Sequence, residues 1–424
     1  MERKRSYWDS GYFQYSTLNK MHIELSSLCN SVCPNCPRFY KNSPHTIPEL
    51  KPQSISIENF EKWFPPEILK QIQYMNFCGN HGDPVTCKDL LPILEYCFKT
   101  LPPEGGLQMH TNGGMKSVKV WDRIGELFSQ RPNWKMIFSI DGLEDTNHIY
   151  RRNVSWKKLM SNVKAYTAHG GNSDWEFLIF GHNENQMEEA KALAKEIGIK
   201  RFSPKIAHGL DNGTDHATMP AINKDGKLDY HIYPPLQKKN KAKYIESNNP
   251  DKLAIINKEF DKINVMHIDN PKAFKPGTSG LERVSEKELN ELNNTIIRPR
   301  CYREVFVSAA GFVSPCCWIG LVIPFIDVGR KVSRFFNQHQ LKEKLMSVGL
   351  EKFSLHYYSL ENILNENRLN KVYSDDWNKT IQCGKLKECT TVCGQANVLD
   401  DTMSHEDNPY KQERSVTDHR EHLV

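Results

Sequence analysis

The segment Cys29-Asn30-Ser31-Val32-Cys33-Pro34-Asn35-Cys36 holds three thiols at C-x3-C-x2-C spacing, just after a short apolar run from Met21 to Leu25. Thiolates are soft ligands, so a loop this rich in them suits a soft metal or an iron–sulfur cluster. A cubane [4Fe–4S] cluster ordinarily takes four thiolates, whereas this loop offers Cys29, Cys33 and Cys36 alone. Three ligands leave one iron open to a small molecule, which a purely structural site would not do. A zinc site asks for a fourth Cys or His at paired spacing. The nearest imidazoles, His22 and His45, do not have that spacing.

A second thiol group follows far along the chain: Cys301-x9-Gly311-x4-Cys316-Cys317, then Cys383-x5-Cys389-x3-Cys393. The runs Val305–Val307 and Phe312-Val313 flank Ala309-Ala310-Gly311, which predicts a β-hairpin with Cys near both strand ends. Cys389 and Cys393 stand one helical turn apart and can present two thiolates from a short helix, with Cys383 in reserve. Cys317 points away from Cys316 if both lie on a strand. Two clusters need about eight ligands, and this half of the chain has six Cys. One [4Fe–4S] cluster is therefore the economical reading, with zinc as the alternative. Cys78, Cys87 and Cys97 show no ligand spacing and read as buried thiols.

The loops need a scaffold. From residue 20 to about 205, short apolar runs alternate with longer helical patterns, the mark of βα units. Strands are predicted at His22–Glu24, Gln73–Cys78, Leu107–Thr111, Lys135–Ile140, Trp175–Phe180 and Lys200–Pro204. Helices are predicted at Ile57–Gln71, Lys88–Thr100, Val118–Ser129, Trp156–Thr167 and Asn185–Ile197. Six strands with right-handed crossovers make an open parallel barrel or sheet, which binds ligands at the C-terminal strand ends. The Cys29 loop follows the first strand. Later strand ends carry Gly79-Asn80-His81-Gly82-Asp83-Pro84, Asn112-Gly113-Gly114, Ser139-Ile140-Asp141-Gly142 and Gly181-His182-Asn183. Each alone is ordinary turn chemistry, but such loops at successive strand ends point to a ligand. Arg151-Arg152 reads equally as a ligand contact or as a surface pair.

The chain of 424 residues has room for two or three domains. No run of eighteen apolar residues occurs, so no membrane span is expected. Met1-Glu2-Arg3-Lys4-Arg5 has no apolar segment behind it and is no secretory signal. Twelve Cys without such a signal argue for metal ligands or free thiols in a reducing compartment, the cytoplasm, over a disulfide framework. The net charge of +5, from 56 basic and 51 acidic residues, is too balanced to imply nucleic acid. The basic run from Lys238 to Lys243 reads as a solvated face. Residues 206–300 are rich in Asn, Lys and Asp, with one helical candidate near Leu281–Leu292, and read as an insertion or bridging segment. A helix is predicted over Arg330–Val348, with Phe335, Leu341, Leu345 and Met346 as its apolar positions, and the tail from Asp400 is polar.

The thiol triplet after a first strand resembles the defining loop of the radical S-adenosylmethionine (SAM) superfamily. The resemblance implies an α/β fold: a partial (β/α)6 TIM-like barrel followed by a small C-terminal hairpin-plus-helix domain. It implies a cluster whose open iron chelates the amino and carboxylate groups of SAM. One electron, delivered by a reductase or by flavodoxin or ferredoxin, then gives a 5′-deoxyadenosyl radical that abstracts hydrogen from an organic substrate. That substrate is a small molecule, a sugar or a peptide. Gly82-Asp83-Pro84 looks like the family's glycine-glycine-glutamate segment, which meets the SAM ammonium; Asp83 in place of Glu shortens the reach and suits a role in the loop's geometry. Ser139 to Gly142 looks like the family's fourth-strand segment, which assigns Ser139 and Asp141 to the SAM ribose and carboxylate. Asn112, Arg151 and Asn183 are further cofactor-binding candidates. Asn35 stands where the family commonly has an aromatic residue.

The second thiol group resembles the SPASM or twitch auxiliary domain, which implies a second [4Fe–4S] cluster on Cys301, Cys316, Cys383, Cys389 and Cys393. Thr380 takes the place of that pattern's first distal Cys, and no Cys follows Cys393. The expected layout is an extension over 1–20, a core over 21–210, a bridging segment over 211–300, an auxiliary domain over 301–396 and a tail over 397–424. The rival reading is a non-catalytic iron–sulfur or zinc protein, an electron carrier or binding module. It accounts for both thiol groups but not for the polar strand ends.

Overall fold

Alternating apolar runs and amphipathic stretches become alternating strands and helices. The computed structural model describes residues 13–39, 42–207, 218–235, 303–326 and 338–386, with scattered residues in 290–297, 389–395 and 421–422. In chain order the elements that matter here are β1 (Lys20–Ile23), α1 (Ile57–Trp63), α2 (Pro66–Leu69), β2 (Tyr74–Phe77), α3 (Leu90–Thr100) and β3 (Gly106–Thr111). There follow α4 (Val118–Ser129), β4 (Trp134–Ser139), α5 (Asn147–Tyr150), α6 (Trp156–Thr167), β5 (Ser173–Ile179), α7 (Met187–Glu196) and β6 (Arg201–Ile206). Beyond these lie β7 (Met219–Ile222), β8 (Leu228–Ile232), β9 (Glu304–Val307), β10 (Val313–Ser314), α8 (Cys317–Val322), α9 (Gln338–Val348) and α10 (Leu360–Asn365). The class is α/β with an open, mostly parallel sheet, the partial TIM-like arrangement expected.

Two compact units divide the chain: Met1–Leu28, Pro48–Leu107 and Phe274–Glu406 form one, and Cys29–Ile47, Gln108–Ala273 and Asp407–Val424 the other. In the first unit β1 pairs in parallel with β2 on one side and with β9 on the other, and β9 pairs antiparallel with β10. The expected hairpin is therefore present, and its first strand extends the sheet from β1. Both faces of β1 are covered: Met21 and Ile23 on one face and His22 on the other are all buried. The long helix predicted over Ile57–Gln71 is instead α1 and α2. Pro65 and Pro66 have no N–H to continue the α1 ladder, and Pro66 opens α2 at a position that needs none.

In the second unit β4, β5 and β6 pair in parallel, with Ser139 opposite Glu176 and Ile179 opposite Ile206. Helix α4 buries Trp121, Ile124, Leu127 and Phe128 at helical spacing, and α6 buries Leu159, Val163 and Tyr166. Each such side chain contributes about 1.5–3 kcal/mol on burial. The helices meet at Gly125, where a Cβ would stand 2.6 Å from the Tyr166 carbonyl oxygen. Ser155 opens α6 by accepting the Lys158 N–H at 3.4 Å.

The hairpin β7–β8 was not expected within 206–300; it packs Met219 and Ile232 against Phe180 and Ala207. Helix α9 covers the latter part of the stretch predicted from Arg330, with Leu341 and Leu345 buried as expected and Met346 exposed. The basic run from Lys238, the helix near Leu281 apart from Asn290, Phe335, and the tail apart from residues 421–422 lie outside the described residues. Among the described residues no helix is long and apolar enough to cross a membrane.

Candidate functional site

The thiol loop is held by its own turns and by residues far along the chain. The Cys36 N–H donates to the Cys33 carbonyl at 3.2 Å, and the Phe39 N–H to the Cys36 carbonyl at 3.1 Å. Asn35 sits at φ 65°, a region that Asn tolerates far better than an aromatic residue does. The departure at Asn35 thus has a local backbone reason. The Val32 N–H donates to the Arg152 carbonyl at 3.0 Å, and Arg38 Nη1 donates to the Cys29 carbonyl at 2.7 Å. Cys33 is buried, while Cys29 and Cys36 are half-buried.

Donors converge on two of the three sulfurs. Ser31 Oγ lies 2.9 Å from Cys33 Sγ, and the Ser31 N–H donates to Cys29 Sγ at 3.4 Å. Asn112, the first residue after β3, donates through Nδ2 to Cys29 Sγ at 3.5 Å and to Asn30 Oδ1 at 3.0 Å. Arg151 Nη1 reaches Cys33 Sγ at 3.8 Å. Burial, with the Cys33 sulfur next in effect, pushes the Cys36 thiol up to about 12. A metal that binds at Cys36 therefore displaces a proton. Among the described residues no three His, Cys, Asp or Glu side chains converge as ligands of one metal ion. In a cubane cluster each thiolate bonds a different iron, so the sulfurs stand farther apart than a single ion would bring them.

Arg151 is no surface residue. Its Nε donates to Asp141 Oδ2 at 2.5 Å, and its guanidinium lies over the Tyr150 ring. Burial works against the Arg151 charge, but Asp141, Cys33 and Tyr150 outweigh it and hold the guanidinium above its usual range. Asp141 is fully buried, and its other oxygen accepts the Leu178 N–H at 2.7 Å. Asn183 is equally buried: Nδ2 donates to the Asp141 and Leu178 carbonyls, and Oδ1 accepts the Phe180 N–H at 2.7 Å. Asp141 and Asn183 thus tie the ends of β4 and β5 together, with Ser139 the last residue of β4. Arg152 pairs with Asp229 at 2.8 Å and donates to the Ile222 carbonyl, which fastens the β7–β8 hairpin.

Beside the end of β5, His148, His182, Tyr230, His231 and Tyr233 line a cavity of about 570 Å³. Burial, helped by His148, lowers the His182 pKa from the usual 6.5 to about 4. Between those values the unfolded chain takes a proton that the folded chain refuses. The stabilisation is complete above about pH 6.5 and is lost as pH falls toward 4, on the order of 3 kcal/mol in all. Urea unfolding of the metal-free protein at pH 7 and pH 4.5 is expected to show His182→Phe losing less stability than the wild type across that range. Equal losses would refute the assignment.

In the first unit the loop after β2 is built around Glu24, which the sequence reading did not single out. Glu24 Oε1 accepts the His81 N–H at 2.7 Å and the Gly82 N–H at 3.3 Å. Burial pushes the Glu24 carboxyl up, but His81 and these N–H groups prevail and hold it below the usual range. Gly82 has no room for a side chain, since a Cβ would stand 1.8 Å from the Ser26 carbonyl oxygen. Asp83 opens the turn at Pro84–Thr86 by accepting the Val85 N–H at 3.0 Å, and its own N–H donates to the Leu28 carbonyl at 2.8 Å. Asp83 thus shapes the loop.

The described thiols are all free of disulfides. Cys87 and Cys97 are buried as expected, whereas Cys78 is only half-buried. Cys316 and Cys317 are not on a strand: Cys316 is the residue before α8, and Cys317 is its first residue. Strand alternation therefore does not govern them. Burial, with Cys316 and Cys78 nearby, raises the Cys317 thiol. Cys383 is exposed and Cys389 and Cys393 are half-buried. Cys301 lies outside the described residues.

No family model matches the sequence. Two curated anthranilate phosphoribosyltransferases of Methanococcus maripaludis match part of it. The first is 24% identical over 196 residues, 42% of this chain, and the chain spans 59% of the length of that protein. Similar solved structures include anSMEcpe with bound AdoMet, at 15% identity and TM-score 0.44, covering 94% of this chain and 92% of that one. Streptococcus suis SuiB bound to S-adenosylmethionine is similar at 13% identity and TM-score 0.39, covering 73% of this chain and 61% of that one. Escherichia coli HemN, described as a radical SAM enzyme, is similar at 10% identity and TM-score 0.36, covering 69% and 63%. At these identities and TM-scores the likenesses carry no function across to this chain.

Proposed function

We propose that this chain is a radical SAM enzyme, which cleaves S-adenosylmethionine reductively and uses the resulting 5′-deoxyadenosyl radical to take a hydrogen atom from an organic substrate. The observation that carries the reading is the three-thiol loop whose sulfurs are met by Ser31, Asn112 and Arg151. The donor set fits a [4Fe–4S] cluster: soft thiols, one short of a full set, with polar donors aimed at their sulfurs. When bound, that cluster supplies one electron and an open iron for the amino and carboxylate groups of SAM.

The chain's residues do the rest. Cys29, Cys33 and Cys36 hold the cluster, and Arg38 and Asn35 fix the loop that presents them. The Arg151–Asp141 pair places a rigid guanidinium beside Cys33. Gly82, Asp83 and Pro84 form the segment whose backbone serves the SAM ammonium, with Glu24 holding its shape. Ser139 serves the SAM ribose, and Asn112, Asp141 and Asn183 position the surrounding loops. Cys316, Cys383, Cys389, Cys393 and Cys301 carry an auxiliary [4Fe–4S] cluster in a SPASM- or twitch-like domain. A low-potential reductase, flavodoxin or ferredoxin supplies the electron in a reducing cytoplasm, and the substrate is a small molecule, a sugar or a peptide.

Equilibrium binding of SAM tests the reading. Anaerobically reconstituted protein is expected to bind SAM with a change in its visible spectrum, and the metal-free protein to bind it far more weakly. Equal binding with and without the cluster would favour a carrier or binding module.

A further inference from the structure

We propose that Ser31, Asn112 and Arg151 set the reduction potential of the cluster held by Cys29, Cys33 and Cys36. The inference rests on the radical SAM reading and deepens it, because SAM cleavage begins with delivery of an electron to this loop.

The geometry separates these donors from ordinary loop contacts. Cys33 Sγ has Ser31 Oγ at 2.9 Å and Arg151 Nη1 at 3.8 Å; Cys29 Sγ has the Ser31 N–H at 3.4 Å and Asn112 Nδ2 at 3.5 Å. With the sulfurs as thiolates, which only accept, each of these four groups donates. Two of the donors are pinned from behind, and the third has a choice of acceptor. The single Ser31 hydroxyl proton faces both the Arg152 carbonyl at 3.1 Å and Cys33 Sγ, and the charged thiolate is the stronger acceptor; Asn112 Oδ1 accepts the Gly114 N–H at 2.8 Å. Arg151 is fixed by Asp141, itself fixed by the Leu178 N–H. Ser31 is 3% exposed and Asn112 4% exposed, so bulk water does not screen them.

Reduction adds one negative charge to the cluster and its sulfurs. Fixed dipoles that point N–H and O–H groups at sulfur stabilise the reduced form more than the oxidised form. The electron comes from an external low-potential one-electron donor, and no proton or bond is exchanged in this step. Asp141 offsets much of the Arg151 charge at a distance, so the Ser31 hydroxyl and the Asn112 amide act with less compensation. The shorter contact, from Ser31, has the larger effect. These residues are positioning residues: they touch the ligating sulfurs and not the reacting atoms of SAM.

The test is a redox titration of anaerobically reconstituted full-length protein without SAM, followed by electron paramagnetic resonance. The relevant signal is the one that Cys29→Ala removes. Ser31→Ala is expected to lower the equilibrium constant for one-electron reduction about tenfold, which is about 59 mV more negative. Asn112→Ala is expected to shift it in the same direction by less, and Ser31→Thr, which keeps the hydroxyl, to stay near the wild type. Full iron content with a wild-type potential in both Ser31→Ala and Asn112→Ala overturns the proposal. If Ser31→Ala takes up no iron, Asn112→Ala decides. If neither variant assembles a cluster, the donors build the site and do not tune it, and the proposal is wrong. A wild-type protein that assembles no cluster overturns the radical SAM reading itself, a result distinct from all of these.

Discussion

Changing any one of Cys29, Cys33 or Cys36 to Ala is expected to abolish SAM cleavage, a loss of at least a thousandfold against the wild type. Each thiolate bonds its own iron in the proposed cluster, and removing one leaves two ligands that no neighbouring Cys or His replaces. Asn30, Ser31, Pro34 and Asn35 offer no thiolate in substitution. The second thiol group gives this prediction an internal control. A variant with all three residues changed to Ala is expected to retain about four irons and four sulfides per chain, held by the auxiliary set. One equivalent of zinc and no sulfide would make the auxiliary domain structural. Wild-type SAM cleavage by Cys33→Ala would remove the loop from the chemistry.

Gly82→Ala is the second large effect. The new Cβ meets the Ser26 carbonyl oxygen at 1.8 Å and the Leu28 carbonyl oxygen at 2.8 Å, both backbone atoms that no rotamer change moves aside. The loop must shift, and the shift pulls the His81 and Gly82 N–H groups from a Glu24 carboxylate that is 2% exposed. Overpacking alone costs on the order of 3 kcal/mol. A buried carboxylate losing a donor adds about 1–3 kcal/mol. Thermal unfolding of the metal-free protein measures the sum, and SAM affinity of the reconstituted protein measures the effect on the segment's backbone. A variant as stable as the wild type would mean that the loop after β2 is held by something other than these contacts.

The scaffold was legible because its signals are local. Six short apolar runs became β1 to β6 with ends within about two residues, and α4 and α6 matched their predicted spans. The division of the first long helix was also written in Pro65-Pro66, a stronger break than the helical periodicity around it. The β7–β8 hairpin was missed although Asn223-Lys224-Asp225-Gly226 is a turn sequence. Asn223 Oδ1 there accepts the Asp225 and Lys227 N–H groups, and the short flanking strands in a polar stretch hid the pattern.

The thiols could be read from spacing; their surroundings could not. Asn112 and Arg151 lie 83 residues and 118 residues from the sulfurs they meet, a distance that only the topology closes. Ser31 was in view between the thiols, but nothing in a sequence says which way a hydroxyl turns. Glu24 carried a usable signal: a carboxylate at the end of a buried strand needs partners. Asp141 was read as a cofactor contact from the family resemblance of its segment, and Asn183 from its place at a strand end. The same place suits the role they have here, joining the loops after β4 and β5.

The most direct measurement is product analysis on anaerobically reconstituted, dithionite-reduced wild-type protein incubated with SAM. The radical SAM reading predicts 5′-deoxyadenosine and methionine in equal amounts, formed only with reductant present. Protein that holds its iron and sulfide yet forms no 5′-deoxyadenosine under these conditions would contradict it, and the electron-carrier reading would take its place.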